Sequence, residues 1–318
     1  MAKAVRFDRY GGPEVLKVME VPRPSAPPGK VVVEVVSAAL NPGEIGIRQG
    51  VFANIWPATF PEGQGNDFSG VVADVGDGVT RFAVGQAVLG FAPRAAQAEF
   101  VVADAATLAL KPADLGWDEA ATIAGVGATA WASVEAVVPR EGETMVVSAA
   151  AGGVGVIAAQ LATLRGARVI GTAGEDNQEF LASLGITPVV YGPGLFGRIR
   201  ELAPDGVDAY VDTFGSGNVD TAIALGVPPY RINSIADGYA VRKYGTHFAA
   251  QEDANTPEIW TVIAELVAAG RVVVPIAKAY PIEQVQAAYR DLATRHVRGK
   301  RVLHVMAPER RATLTDAS

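Results

Sequence analysis

The chain has no cysteine among its 318 residues. That one absence removes disulfides, thiolate metal ligands and a cysteine nucleophile together. Histidine is scarce: His247, His296 and His304 are scattered rather than spaced as metal ligands. His296, beside Arg295 at a helix end, reads as compensation of the helix dipole. Basic charge is also short, with 27 Lys and Arg against 34 Asp and Glu and a net charge of −7. A nucleic-acid binder usually needs a basic face to displace counterions, so nucleic acid is not an expected partner. Arg298, Lys300 and Arg301 form the dense basic cluster of the body and read as solvated surface. Long apolar runs are missing too. The uncharged apolar run at residues 120–134 is shorter than the roughly 20 residues of a membrane-spanning helix. No apolar run follows Met1-Ala2-Lys3-Ala4-Val5-Arg6, so a signal peptide is not expected. Together these absences predict a soluble, cytoplasmic protein with no membrane partner.

What is present points to two domains. Hydrophobic residues make up 49% of the chain, and 35 Gly with 20 Pro predict tight turns between short elements. In the first third, β-branched runs such as Val31-Val32-Val33-Glu34-Val35-Val36, Val71-Val72-Ala73-Asp74-Val75 and Glu99-Phe100-Val101-Val102 are parted by Pro and Gly. This is the pattern of a compact antiparallel or barrel-like β unit. After about Trp117 strands and helices alternate. A helix is predicted over 119–134 with Asp118 as its cap, then a strand over 144–148, a helix over 155–164 and a strand over 167–171. A helix over 178–184 and strands over 188–191 and 207–212 follow. Such alternation implies crossover units and a parallel sheet covered on both faces. A helix over 257–269, a strand over 272–274, a helix over 282–293 and a strand over 300–305 can return to the first domain. The polar tail after Ala307 is expected to fray. The predicted division is 1–118 plus 268–318 for one domain and 119–267 for the other.

The strand at 144–148 runs into Ala149-Ala150-Ala151-Gly152-Gly153-Val154-Gly155, and a helix follows. This spacing fits the dinucleotide fingerprint with its first glycine replaced by Ala150. A glycine-rich turn lets backbone approach a pyrophosphate, and the helix N-terminus offers unpaired N–H groups and the positive end of its dipole. The second strand, about 12 residues past Gly155, supplies the expected context. The fingerprint normally comes with an acid about 20 residues on that holds the ribose hydroxyls. Here the strand ends in Ala173 and Gly174, which favours NADPH, with NADH as the alternative. Glu175 and Asp176 come next, and no Arg or Lys follows to meet a 2′-phosphate.

Several segments together resemble the medium-chain dehydrogenase/reductase superfamily, in its zeta-crystallin-like quinone oxidoreductase branch. They are Ala39-Leu40-Asn41-Pro42-Gly43-Glu44, Gly65-Asn66-Asp67-Phe68-Ser69-Gly70-Val71-Val72, Gly85-Gln86-Ala87-Val88, Gly125-Val126-Gly127-Ala128-Thr129-Ala130, the 150–155 turn, and Arg298-Gly299-Lys300-Arg301-Val302-Leu303. The resemblance implies an α/β chain: a GroES-like β-rich catalytic domain with an inserted Rossmann domain, a doubly wound parallel sheet, and an active site between the two. It implies that zinc relatives place their ligands at the positions of Asn41, Asn66 and Val126, none of which is a usual zinc ligand. Glu44 and Asp67 alone make a poor zinc site, so no metal is expected. By resemblance the cofactor touches Thr129 near the nicotinamide, Gly152, Gly153 and Val154 at the pyrophosphate, and Gly174 with Tyr191 at the adenosine ribose. Ser216, Ile235, Ala236, Phe248 and Ala249 line the nicotinamide half, and Asn41 faces nicotinamide and substrate. A tyrosine common in the family is replaced by Gly46, which implies a roomier or different pocket. Relatives are often homodimers through a Rossmann edge strand.

Hydride transfer asks the protein mainly for position, exclusion of water and a donor for the electron-rich product oxygen. Asn41 is the candidate donor through its amide; the plainer reading is a turn residue before Pro42. Tyr239 and Tyr244 are candidate proton donors, or packing residues. Phe52, Trp56 and Phe60 are candidates to stack on a flat acceptor, or core aromatics of the first domain. The expected activity is a zinc-independent NADPH-dependent reduction of a quinone or similar conjugated carbonyl. Reduction of an enone or enoyl double bond, and a non-catalytic dinucleotide-binding crystallin-like role, are the alternatives.

Overall fold

The computed structural model describes residues 1–295 and 298–315; His296 lies outside the described residues. Along the chain run strands β1 (Ala2–Phe7), β2 (Lys17–Val21) and β3 (Lys30–Ala39), helix α1 (Pro42–Arg48), then β4 (Glu62–Gly63), β5 (Asp67–Val75), β6 (Ala87–Phe91), β7 (Phe100–Asp104) and β8 (Leu108–Leu110). Helices α2 (Trp117–Thr122) and α3 (Ala128–Val137) lead into β9 (Thr144–Val147), α4 (Gly153–Leu164), β10 (Arg168–Ala173), α5 (Gln178–Ser183) and β11 (Thr187–Val190). Then come α6 (Leu195–Leu202), β12 (Ala209–Asp212), α7 (Asn218–Ala224), β13 (Ile232–Ser234), α8 (Gly238–Tyr244) and α9 (Pro257–Ala268). The last elements are β14 (Ile276–Pro281), α10 (Val285–Leu292), β15 (Lys300–His304) and α11 (Pro308–Thr315).

The chain divides into two compact units. The first comprises Met1–Gly125, Thr256–Arg271 and Pro275–Ser318, and the second Val126–Asn255 with Val272–Val274. The changeover therefore falls later than residue 118 and earlier than residue 267, because α9 buries Trp260, Ile263 and Ala264 and counts with the first unit. In the first unit a seven-stranded, mostly antiparallel sheet runs β14-β15-β3-β5-β6-β8, with β7 also paired to β3. A smaller sheet has the order β2-β1-β4. The core gathers Phe7, Val33, Val35, Phe68, Val88, Leu108 and Leu303. Helix α10 adds Val285, Ala288, Tyr289 and Leu292 to it. That is one helical face, at spacings of three and four.

The second unit is a five-stranded parallel sheet in the order β11-β10-β9-β12-β13. In chain order within the unit this is 3-2-1-4-5, the doubly wound arrangement whose order reverses beside its first strand. Strands β9 and β12 are buried along their whole length, as central parallel strands must be.

Four local expectations are corrected. Residues 272–274 form no strand. The amide of Gln160 on α4 takes both backbone groups of Val273 (Val273 N to Oε1 2.8 Å, Nε2 to Val273 O 2.9 Å), satisfying them as a neighbouring strand would. Beyond Ala307, Pro308–Thr315 is helical as α11, held by Arg311 to Asp118 at 2.8 Å. Asp118 lies inside the first turn of α2 rather than capping it; Gly116 is the cap residue. The helix expected over 119–134 is broken into α2 and α3 by a π-helical turn at Ile123–Gly127. Among the described residues, one helical stretch, Trp117–Val137, is long and apolar enough to cross a membrane, and 78% of its apolar window is buried within the fold.

Candidate dinucleotide site and a buried charge network

In the second unit, the turn after β9 is built for close backbone approach. Ala149 adopts a left-handed φ of 47°. Its carbonyl oxygen would sit 2.3 Å from a Cβ on Gly155, so only glycine lets α4 seat on the turn. Ala150, standing for the usual first glycine, is accommodated from the next strand: a Cβ on Gly171 would lie 2.7 Å from the Ala150 methyl. The missing glycine has in effect moved to β10. The N-cap of α4 is Gly152, with no side-chain cap and no acid in the first turn. The first N–H groups of the helix are thus left for an anion.

The sequence-predicted cofactor residues of this unit follow the carboxyl ends of the five strands, where ligands of open parallel sheets bind. Gly152, Gly153 and Val154 follow β9, Gly174 follows β10, Tyr191 follows β11, Ser216 follows β12, and Ile235 and Ala236 follow β13. Gly174 faces the Tyr191 ring, with 3.7 Å between a built Cβ and the phenol. The loop carrying Ser216, itself at φ 55°, approaches Ala236: a Cβ on Gly215 would lie 3.3 Å from the Ala236 carbonyl. Ala249 is clamped by Asn233 (N to Oδ1 2.6 Å, Nδ2 to O 3.0 Å), and Phe248 beside it is exposed. The Ser133 hydroxyl reaches the carbonyls of both Thr129 and Ala249.

Sequence reading missed Asp212, the residue that orders these loops. Its buried carboxylate accepts from Ser148 Oγ (2.7 Å), Ser234 Oγ (2.7 Å), Phe214 N (3.0 Å) and Gly215 N (2.9 Å). It ties the ends of β9, β12 and β13 together. The signal available in sequence was an acid closing an apolar run at Tyr210-Val211-Asp212, with glycine three residues on.

In the first unit, Asn41 caps α1 and stands in a buried polar network. Its Nδ2 donates to Asp67 Oδ2 (2.9 Å) and Glu44 Oε1 (3.2 Å). Its Oδ1 accepts from Lys300 Nζ at 2.7 Å. Glu44 also accepts from Asn41 N, Asn66 Nδ2 and, at 2.6 Å, Tyr289 Oη. Gln64 and Gln97 in turn donate to that tyrosine oxygen. Burial pushes the Glu44 carboxyl up, opposed by its donors and by Lys300. Burial also raises Asp67, to about 7, with Lys300 working against the rise and Glu44 adding to it. Glu44 has the fuller set of donors, and the larger rise falls on Asp67. A Cβ on Gly125 would fall 2.0 Å from Asp67 Oδ2, so the π-turn must carry glycine there.

This geometry revises two expectations. The role given to Asn41 changes from free donor to positioned amide, because both amide hydrogens are engaged by Glu44 and Asp67. The basic cluster at 298–301 is not all solvated surface. Lys300 and Arg301 are 4% and 3% exposed, and Arg301 pairs with Asp291. Zinc does not fit the residues at its expected positions either. The amide oxygen of Asn41 faces an ammonium, and that of Asn66 accepts from Arg94 N at 3.0 Å, so their N–H groups rather than lone pairs point inward. Among the described residues no group of three or more His, Cys, Asp or Glu could hold a metal.

The aromatic candidates separate. Phe52 and Trp56 are exposed and meet each other at 5.9 Å, so they are not core aromatics. The Phe52 ring lies over Gly46, 2.9 Å from where a Cβ would stand. The space expected to be open at Gly46 is therefore filled by a neighbour. Phe60 packs edge-on against Phe7 and Tyr10. Tyr239 is exposed, whereas the Tyr244 hydroxyl is bonded to Asp220 and serves to join α8 to α7.

With this geometry in hand, similarity to known proteins is informative. Residues 27–113 match the family model described as alcohol dehydrogenase GroES-like domain, and residues 184–303 the one described as zinc-binding dehydrogenase. The quinone oxidoreductase of Rattus norvegicus is 29% identical over 232 residues, covering 71% of this chain and 70% of that protein. The solved quinone oxidoreductase from Coxiella burnetii has a TM-score of 0.83 at 28% identity, over 96% of this chain and 99% of that one. A structure described as an NAD-dependent alcohol dehydrogenase has a TM-score of 0.84 at 32% identity, over 96% and 100%. GroES-like and Rossmann-type units in one chain define an oxidoreductase class. The chain belongs to the medium-chain dehydrogenase/reductase superfamily, in its quinone oxidoreductase branch.

Proposed function

We propose that the protein is a zinc-independent oxidoreductase that uses NADPH to reduce a quinone or a similarly conjugated carbonyl compound. The observation that carries the reading is the uncapped N-terminus of α4, seated on the Ala149–Gly155 turn at the point where the strand order reverses. Gly153 and Val154 hold the pyrophosphate there with backbone N–H groups, and Gly152, whose own N–H donates to Ala149 O at 2.8 Å, lets the backbone come close. Gly174 and Tyr191 receive the adenosine ribose, and the loops of Ser216, Ile235 and Ala236, ordered by Asp212, receive the nicotinamide half. Bound in this way, the nicotinamide supplies a hydride. One feature supports NADPH over NADH: strand β10 ends in Ala173, a methyl where a carboxylate would repel a 2′-phosphate. Independence from zinc is supported by the donor chemistry of Asn41 and Asn66.

The test is oxidation of NADPH and of NADH, followed by nicotinamide absorbance, against a panel of quinones and enones with product identification. Hydroquinone formation with a preference for NADPH is expected. A saturated ketone as the product would move the reading to double-bond reduction. A preference for NADH would assign Glu175 to the ribose hydroxyls. Binding of cofactor without turnover of any acceptor would overturn the proposal.

A further inference from the structure

Lys300 has no role in the reading above, yet it is a buried cation with a defined pair of partners. It opens β15, which pairs with the end of β3 in the register Val302 to Ala39. That register brings Lys300 beside Leu40 and Asn41. Gly299 makes the approach possible: its φ is 73°, and a Cβ would meet the Pro275 carbonyl at 2.0 Å, where Lys300 N also donates (2.8 Å). The ammonium then donates to Leu40 O at 2.6 Å and to Asn41 Oδ1 at 2.7 Å. On the far side of the same amide, Nδ2 faces the carboxyls of Asp67 and Glu44. Rotating the amide by half a turn would set its NH2 against the ammonium and its oxygen against two carboxyls. The orientation of Asn41 is therefore fixed by charge on both sides.

Zinc relatives, by the resemblance of the flanking segments, use the Asn41 and Asn66 positions as metal ligands. This chain has buried acid groups around those positions, carries amides at them and brings an ammonium to one of them. A buried carboxyl pair needs a counter-charge in low dielectric, and Lys300 supplies it.

We propose that Lys300 is the fixed cation of the first unit's site, standing in for the metal of zinc relatives and acting through Asn41, whose carbonyl oxygen it pins. It is a positioning residue. Its charge and tether hold the Asn41 amide and the Asp67–Glu44 pair in one arrangement while charge develops on the acceptor, so none of these groups reorganises during the reaction. The inference rests on the oxidoreductase reading for its kinetic consequence, though not for its structural one.

The test uses Lys300→Met, which removes charge and tether, and Lys300→Gln, which keeps a donor without the charge. Both are read by melting temperature, cofactor affinity, kcat and the side-chain amide resonances of Asn41 in 15N-labelled protein. Expected are unchanged cofactor affinity, a kcat lowered about tenfold or more in both variants, and displaced Asn41 resonances. In Asn41→Ala background, the Lys300 substitution should add no further loss. Wild-type kcat in Lys300→Gln overturns the proposal, and so do losses that multiply in the double variant. Should Lys300→Met not fold, Lys300→Gln alone decides. Should the unaltered enzyme reduce no acceptor, the proposed function fails instead. The Asn41 resonances then judge Lys300 by themselves: resonances unmoved in Lys300→Gln would overturn it.

Discussion

Asp67 shows how a residue's chemistry is set by its surroundings. Its carboxyl is ordinary in an unfolded chain, with a pKa of 3.8, and is raised to about 7 in the fold, chiefly by burial. A raised carboxyl favours the protonated folded state. Its stabilising contribution is complete below about pH 4, is lost as pH climbs toward 7, and is gone above that. Asp67→Asn mimics the protonated form and keeps an acceptor for Asn41. Its melting temperature relative to the parent should therefore rise steadily between pH 4 and pH 7 and level off beyond. A difference that stays flat across that range would show that Asp67 ionises normally. At this scale the glycines were legible in sequence, because Gly152 and Gly155 sit where the fingerprint requires them. Lys300 was not. In sequence it is one of three neighbouring cations, and only strand register decides that it points inward while Arg298 is exposed.

Among the elements, the carboxyl ends of the parallel strands are ordered by one side chain. Asp212 gathers two hydroxyls and two backbone N–H groups from three loops. Asp212→Ala leaves those donors buried without an acceptor, which should cost about 2–4 kcal/mol. The denaturant midpoint should fall accordingly, and cofactor affinity with it. An unchanged midpoint would mean that water replaces the carboxylate without loss. From β9 to β12 the strands of the second unit follow the sequence closely, since periodicity and turn residues are local, whereas α7, β13 and α8 had no counterpart in the sequence reading. Elements decided by partners were misread: 272–274, whose backbone is satisfied by Gln160, and α11, whose Arg311 finds Asp118 across 193 positions of sequence.

For the molecule as a whole, the proposed independence from metal is the reading most open to a direct check. If the Asn41, Asn66 and Lys300 arrangement is correct, dialysis against a chelator should leave turnover unchanged, and added zinc should not raise it. Activity lost to the chelator and restored by zinc would refute that arrangement. The sequence by itself determined the two-unit architecture, the dinucleotide turn and the superfamily, because hydrophobic period, glycine spacing and order along the chain carry them. Tertiary structure alone decided the exchange of the first fingerprint glycine between positions 150 and 171, the Phe52 ring over Gly46, and the network joining Asn41, Glu44, Asp67, Tyr289 and Lys300. The reason is the same in each case: packing and counter-charge come from residues outside the local pattern, from six positions away for Phe52 over Gly46 to 259 for Lys300 on Asn41, and no hydrophobic period records them.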